Sequence, residues 1–151
     1  MLSIQNSLLR ASFKTKGAEL CSLVHLESNT ETIWQADPSV WAYHAPVLFP
    51  IVGGLKDNLL HINEKSYPLN RHGFARTSVF EVEEHQTDYI TFLLKASELT
   101  RSAYPYEFEL RMKYSLVENS LHQTFSVKNT GAETMFFALG GHTGFRIPLS
   151  A

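Results

Sequence analysis

Two short stretches of this 151-residue chain set a histidine among residues that bend the backbone or carry charge. In Arg71-His72-Gly73-Phe74-Ala75-Arg76 an imidazole lies between two guanidiniums, beside a glycine that lets the main chain come close to a ligand. If both cations lie near the ring in space, they disfavour its protonated form. Gly140-Gly141-His142-Thr143-Gly144-Phe145 surrounds a second histidine with three glycines at the end of an apolar run, where the chain can approach another group tightly. An imidazole with an ordinary pKa of about 6.5 can give up and recover a proton near neutral pH, so both stretches suit proton transfer. Each also has a plain structural reading: a surface-loop histidine in the first, and a glycine-rich turn whose histidine bonds backbone in the second.

Other chemistries find less support. Seven histidines are present (25, 44, 61, 72, 85, 122 and 142), but none pairs at His-x-His or His-Glu-x-x-His spacing. With Cys21 the single cysteine, a zinc site would need distant histidines or carboxylates, so no metal and no cofactor is expected. Gly-x-Ser-x-Gly, Gly-x-Gly-x-x-Gly and Walker-type phosphate loops are all missing. Thirteen Lys and Arg against fifteen Asp and Glu give a net charge of -2 without runs of like charge, which argues against nucleic acid as a partner. The start lacks a secretory pattern, and the longest apolar run, 45–52, is interrupted by Pro46 and Pro50, so neither export nor a membrane span is expected. The reading is a soluble, cytoplasmic protein, with one cysteine in keeping with a reducing compartment.

The elements that must position the two histidines read as all-β, an antiparallel sandwich or barrel. Between 107 and 116, Phe108, Leu110, Met112, Tyr114 and Leu116 alternate with Glu107, Glu109, Arg111, Lys113 and Ser115, a period of two that specifies a half-buried strand. A turn at 117–120 leads to a partner strand with Leu121, Phe125 and Val127 inward, an antiparallel hairpin. Further hairpins are expected from 80–82 with 90–94 and from 60–62 with 66–68, and strands from 8–13, 20–26 and 32–34. Met135 to Leu139, apolar on both faces, predicts a central strand. Ala45 to Gly54 is apolar too, but two prolines remove ladder donors and make it edge or irregular structure, a loop covering the core in its plainest reading.

Taken in order, Ala45-Pro46-Val47-Leu48-Phe49-Pro50-Ile51-Val52-Gly53, Leu55-Lys56-Asp57, the His72 stretch, Tyr104-Pro105-Tyr106 and Gly140-Gly141-His142 resemble the aldose 1-epimerase (galactose mutarotase) family, in its LacX-like bacterial branch. The resemblance runs from about Gly17 to the C-terminus. It implies the N-terminal portion of a galactose mutarotase-like supersandwich that interconverts the α and β anomers of a free sugar without a cofactor. It makes His142 the general acid that protonates the ring oxygen, and His72 a second catalytic-pocket histidine that holds the sugar. Arg76 and Phe74 become substrate-binding candidates, and Trp34 or Phe49 could pack on the sugar's C–H face. The family's general base, a glutamate late in the full fold, has no counterpart here, because family domains run to roughly twice this length. A single, truncated domain over 1–151 is therefore expected, holding at most the acid side of the pair. Such a chain would be less stable than a complete homologue or would self-associate. A non-catalytic carbohydrate-binding module and a truncated remnant are the alternatives. Oligomeric state is not legible. Thr143-Gly144 stands where the family usually has Pro-Ala, and Gly54 where an arginine is common.

Overall fold

The computed structural model describes residues 1–147. Its strands in chain order are β1 (Leu2–Gln5), β2 (Leu9–Phe13), β3 (Leu20–His25), β4 (Thr30–Glu31), β5 (Val47–Leu48), β6 (Leu59–Ile62), β7 (Lys65–Pro68), β8 (Glu81–His85), β9 (Tyr89–Lys95), β10 (Phe108–Val117), β11 (Ser120–Asn129) and β12 (Gly140–Gly141). One four-stranded sheet has the order β1-β2-β3-β4 and another β11-β10-β9-β8, while β12 pairs with β5 and β6 with β7. All of these pairings are antiparallel.

The alternation of β10 is realised residue by residue: Phe108, Leu110, Met112, Tyr114 and Leu116 are buried, and the residues between them are not. Side chains of a strand point alternately to the two faces of the sheet, so one face of β10 is core. That face meets the other sheet directly. Phe13 of β2 packs on Phe92 of β9 and Tyr114 of β10, with ring centroids 5.9 and 4.6 Å apart. The buried hydroxyl of Tyr114 donates to the Ala18 carbonyl at 2.9 Å and accepts from Gln123 Nε2 at 2.8 Å. Desolvation holds that phenol well above its ordinary pKa. At the β8 edge the register slips between Val82 and Glu84. Glu83, in that bulge, and Glu109 both bind the Arg111 guanidinium, at 2.7 Å. A bulge and charged side chains on an outer strand discourage edge-to-edge pairing.

A second aromatic cluster lies beyond this interface and carries the site. Phe49, fully buried, is its hub, with the rings of Phe74, Tyr104, Phe108 and Phe137 5.2 to 6.1 Å away. The Phe49–Pro50 peptide is cis.

The structure corrects the expectation at Met135 to Leu139. This stretch forms no strand, and Phe136 and Phe137 are exposed. It is held by isolated bonds: the Tyr104 hydroxyl donates to the Phe136 carbonyl and the Ala138 amide to the Pro50 carbonyl, each at 2.8 Å. Apolar sequence specifies a central strand only where neighbours pair on both sides, and among the described residues pairing begins at Gly140. The strand expected at 32–34 is displaced to Thr30–Glu31, leaving Ile33 a single bridge to Phe145. β1 was not anticipated. Nor was the single helical turn Glu98–Arg101, which a capping box between Ser97 and Thr100 starts.

Candidate functional site

The apolar segment from 45 to 54 is the frame on which both histidines are hung. At its start the buried Glu19 carboxylate accepts the amide N–H groups of His44 and Ala45 through Oε1, at 2.8 and 3.2 Å. Val47 and Leu48 then pair as β5 with Gly141 and Gly140 of β12. The His142 amide continues this register by donating to the Pro46 carbonyl at 3.1 Å. Farther along, Gly53 and His72 bind one another twice: the His72 amide donates to the Gly53 carbonyl at 2.7 Å, and the Gly53 amide donates to His72 Nδ1 at 3.1 Å. One short segment thus collects residues 53, 72 and 142, bringing the two imidazoles to a centroid separation of 6.2 Å.

The turn that presents His72 is built by close approach. His72 has φ 69° and Gly73 φ 68°, and a Cβ on Gly73 would sit 2.2 Å from the Phe49 carbonyl oxygen. A side chain at 73 is excluded by the backbone it crosses, while His72 tolerates the left-handed region because its ring is bonded locally. The Phe49 carbonyl in turn accepts the amides of Phe74 and Ala75 at 3.0 and 3.2 Å.

Because Nδ1 of His72 accepts from an amide, it carries no proton, and the neutral ring has its hydrogen on Nε2. Its pKa lies below the ordinary 6.5, first from desolvation and then from the positive charges of Arg71, Arg76 and His142. The two cations of the motif therefore favour the neutral ring, as their spacing suggested. Arg76 is partly buried, with its guanidinium carbon 5.4 Å from the Tyr43 ring centroid and one Nη donating to the Arg71 carbonyl at 3.1 Å. Its Nε is buried and has no hydrogen-bond partner among the described residues. His142 is exposed and rests on Trp41, centroids 4.9 Å apart. Trp41 itself is fixed by Trp34, whose indole N–H donates to the Trp41 carbonyl at 2.8 Å. A Cβ on Gly144 would lie 2.7 Å from the Trp41 ring and 2.9 Å from Trp34 Cβ, so a residue without a side chain leaves room for the indole here.

His72, Arg76 and His142 are thus brought into one neighbourhood. Phe74 is committed elsewhere: its ring packs against Phe49, Tyr104 and Phe108. Phe49 is core, with no exposed surface. Glu107 binds Arg101 at 2.9 Å and Glu109 binds Arg111. Sequence reasoning missed Trp41, Tyr43 and Glu19. The run Trp41-Ala42-Tyr43-His44, aromatic yet without strand alternation and just ahead of the proline segment, was the available signal for the first two. The resulting surface offers a neutral imidazole with a free N–H, a second imidazole open to solvent, a guanidinium and an indole. Such a set can hydrogen-bond a polyhydroxylated ring and exchange a proton with it.

Comparison with known proteins shows the family and the fold. The family model for aldose 1-epimerase matches residues 1–150. Protein LacX of Lactococcus lactis subsp. lactis, in its plasmid and chromosomal forms, is 36% identical over 154 residues, covering 98% of this chain and 51% of the relative. The crystal structure of a galactose mutarotase related enzyme from Lactobacillus acidophilus superposes with a TM-score of 0.96 at 47% identity, covering 97% of this chain and 49% of that one. A galactose mutarotase-like protein from Lactobacillus casei gives a TM-score of 0.96 at 36% identity, covering 100% and 51%. The chain spans about half the length of the relatives it matches. With the family model matched across almost its whole length, this chain belongs to the aldose 1-epimerase family.

Proposed function

We propose that the chain is the histidine-bearing part of a mutarotase-like domain that interconverts the α and β anomers of a hexose or hexose phosphate by acid–base ring opening. The observation that carries this reading is the pairing of two unlike imidazoles 6.2 Å apart, one locked neutral by Gly53 and one exposed on Trp41. Ring opening removes a proton from the anomeric hydroxyl and delivers one to the ring oxygen. The aldehyde then rotates and closes from its other face. His142, open to solvent, is the residue suited to deliver and recover the ring-oxygen proton. His72 Nε2–H donates to a sugar oxygen and orients the ring, and Arg76 adds further donors. A carboxylate on the opposite side must take the anomeric proton, and Glu107 and Glu109 are already engaged by arginines. That engagement favours a second reading, in which these residues by themselves bind sugar without turning it over. In either reading the partner is a small sugar, and the setting is the cytoplasm, a reducing compartment in keeping with a single cysteine. Among the described residues no helix is long and apolar enough to cross a membrane.

Polarimetry of freshly dissolved α-D-glucose and α-D-galactose, with and without the protein, tests the proposal. Acceleration above buffer that disappears in His142→Ala supports catalysis by this pair. No acceleration, together with saturable sugar binding that His72→Ala abolishes, supports the binding reading. Absence of both rejects the site.

A further inference from the structure

Away from the His72–His142 site, three metal-ligating side chains converge at the start of the proline segment. Glu19 and Cys21 flank the first residue of β3, and His44 reaches them from the loop before β5. One donor atom from each lies within 4.8 Å of the other two, and His44 Nδ1 is 3.9 Å from Glu19 Oε1. The cluster is interior: Cys21 is buried, and the Glu19 and His44 side chains are 11% and 12% exposed.

The unexplained feature is His44 Nδ1, which is buried and has no hydrogen-bond partner among the described residues. A buried polar nitrogen without a partner is costly, and most such atoms are satisfied by protein or by a bound species. We propose that Glu19, Cys21 and His44 form a zinc site, with one thiolate, one imidazole and one carboxylate as protein ligands and a fourth position left for water. This donor set matches zinc, which takes Cys sulfur, His nitrogen and carboxylate oxygen at about 2.3, 2.0–2.1 and 2.0–2.2 Å, whereas magnesium and calcium select oxygen. Those bond lengths place tetrahedral donors about 3.3–3.6 Å apart. The cluster therefore needs to contract by about an ångström at its widest, within reach of side-chain rotation.

The neighbourhood is compatible with the ion. Burial and then the charge of Lys14 hold the His44 imidazole below its ordinary pKa, in the neutral form that ligates. Burial pushes the Cys21 thiol up to about 11, so the ion must displace that proton, which passes to the buffer as the metal–sulfur bond forms. Lys14 Nζ, 4.0 Å from Glu19 Oε2, is 46% exposed and free to swing into solvent. Glu19 Oε1 keeps its bonds to the His44 and Ala45 amides, which aim the carboxylate. The ion would tie the start of β3 to the segment that carries Gly53 and receives His142, so its role is to clamp the frame rather than to meet substrate.

Cobalt(II) is the first probe, because a thiolate ligand gives a sulfur-to-cobalt charge-transfer absorption and four-coordination gives intense visible bands. The expected result is saturation at one cobalt per chain with both features, displacement by zinc, and their loss in Cys21→Ser, His44→Gln and Glu19→Gln. X-ray absorption of the zinc-loaded wild type needs no variant to fold and should show one sulfur at about 2.3 Å among nitrogen and oxygen ligands. A zinc shell without sulfur, no charge-transfer band at saturating cobalt, or bands unchanged in His44→Gln would each overturn the site.

Discussion

The amide of His72 donates to the carbonyl of Gly53 while the amide of Gly53 donates back to the His72 ring, at 2.7 and 3.1 Å. This reciprocal pair settles the tautomer of the imidazole and fixes its plane against a rigid segment. It also makes protonation of His72 costly, because a proton on Nδ1 would face an amide hydrogen and two nearby guanidiniums.

His72 should accordingly titrate below 6.5, with its NMR signals showing the Nε2–H tautomer at neutral pH. Arg76→Met removes one of the cations that depress it, so the midpoint should rise toward the ordinary value. The linkage has a definite sign. The unfolded chain binds this proton more readily than the folded one, so the contribution of His72 to stability is complete above about pH 6.5 and is lost as pH falls from there through the lower pKa of the folded state. A midpoint unmoved by Arg76→Met would show that burial and the remaining charges of Arg71 and His142 set it.

Gly73→Ala and Gly144→Ala should differ in kind. At 73 the new Cβ meets the Phe49 carbonyl at 2.2 Å in a left-handed turn, and backbone cannot step aside. A loss of at least about 2 kcal/mol is expected in urea unfolding. At 144 the nearest obstacle is the Trp41 ring at 2.7 Å, a side chain able to move. The stability cost there should be smaller, and the indole fluorescence should change.

Trp41→Ala takes away the ring on which His142 rests. An aromatic contact of this kind contributes about 0.5–1.5 kcal/mol beyond the area it buries, so a fall of at least that order is expected. Sugar affinity, followed by calorimetry, should fall further than in Trp34→Phe, which removes the indole N–H that fixes the Trp41 carbonyl and shrinks the ring but leaves Trp41 in place.

Tyr114→Phe leaves the packing of β10 on β2 intact but deprives the buried Ala18 carbonyl of its donor. The expected loss is about 1–2 kcal/mol, with an unchanged dependence on denaturant concentration. A neutral result would mean that water reaches the Ala18 carbonyl in the variant.

The sequence by itself determined the hairpins and the buried face of β10, because a period of two in side-chain polarity leaves one way to bury Phe108 through Leu116. It also marked the two histidine turns, whose glycines betray close backbone approach, and the family resemblance that joined them. It could not place Met135 to Leu139, since an apolar run is a central strand only where partners exist, and pairing is non-local. Nor could it reveal that Trp41 underlies His142 or that Gly53 locks His72, because these contacts join residues far apart in the chain. The gathering of Glu19, Cys21 and His44 is of the same kind: metal-ligand spacing in sequence is informative only when one element supplies the ligands. Here two separate segments do, and only folding brings their donor atoms within reach.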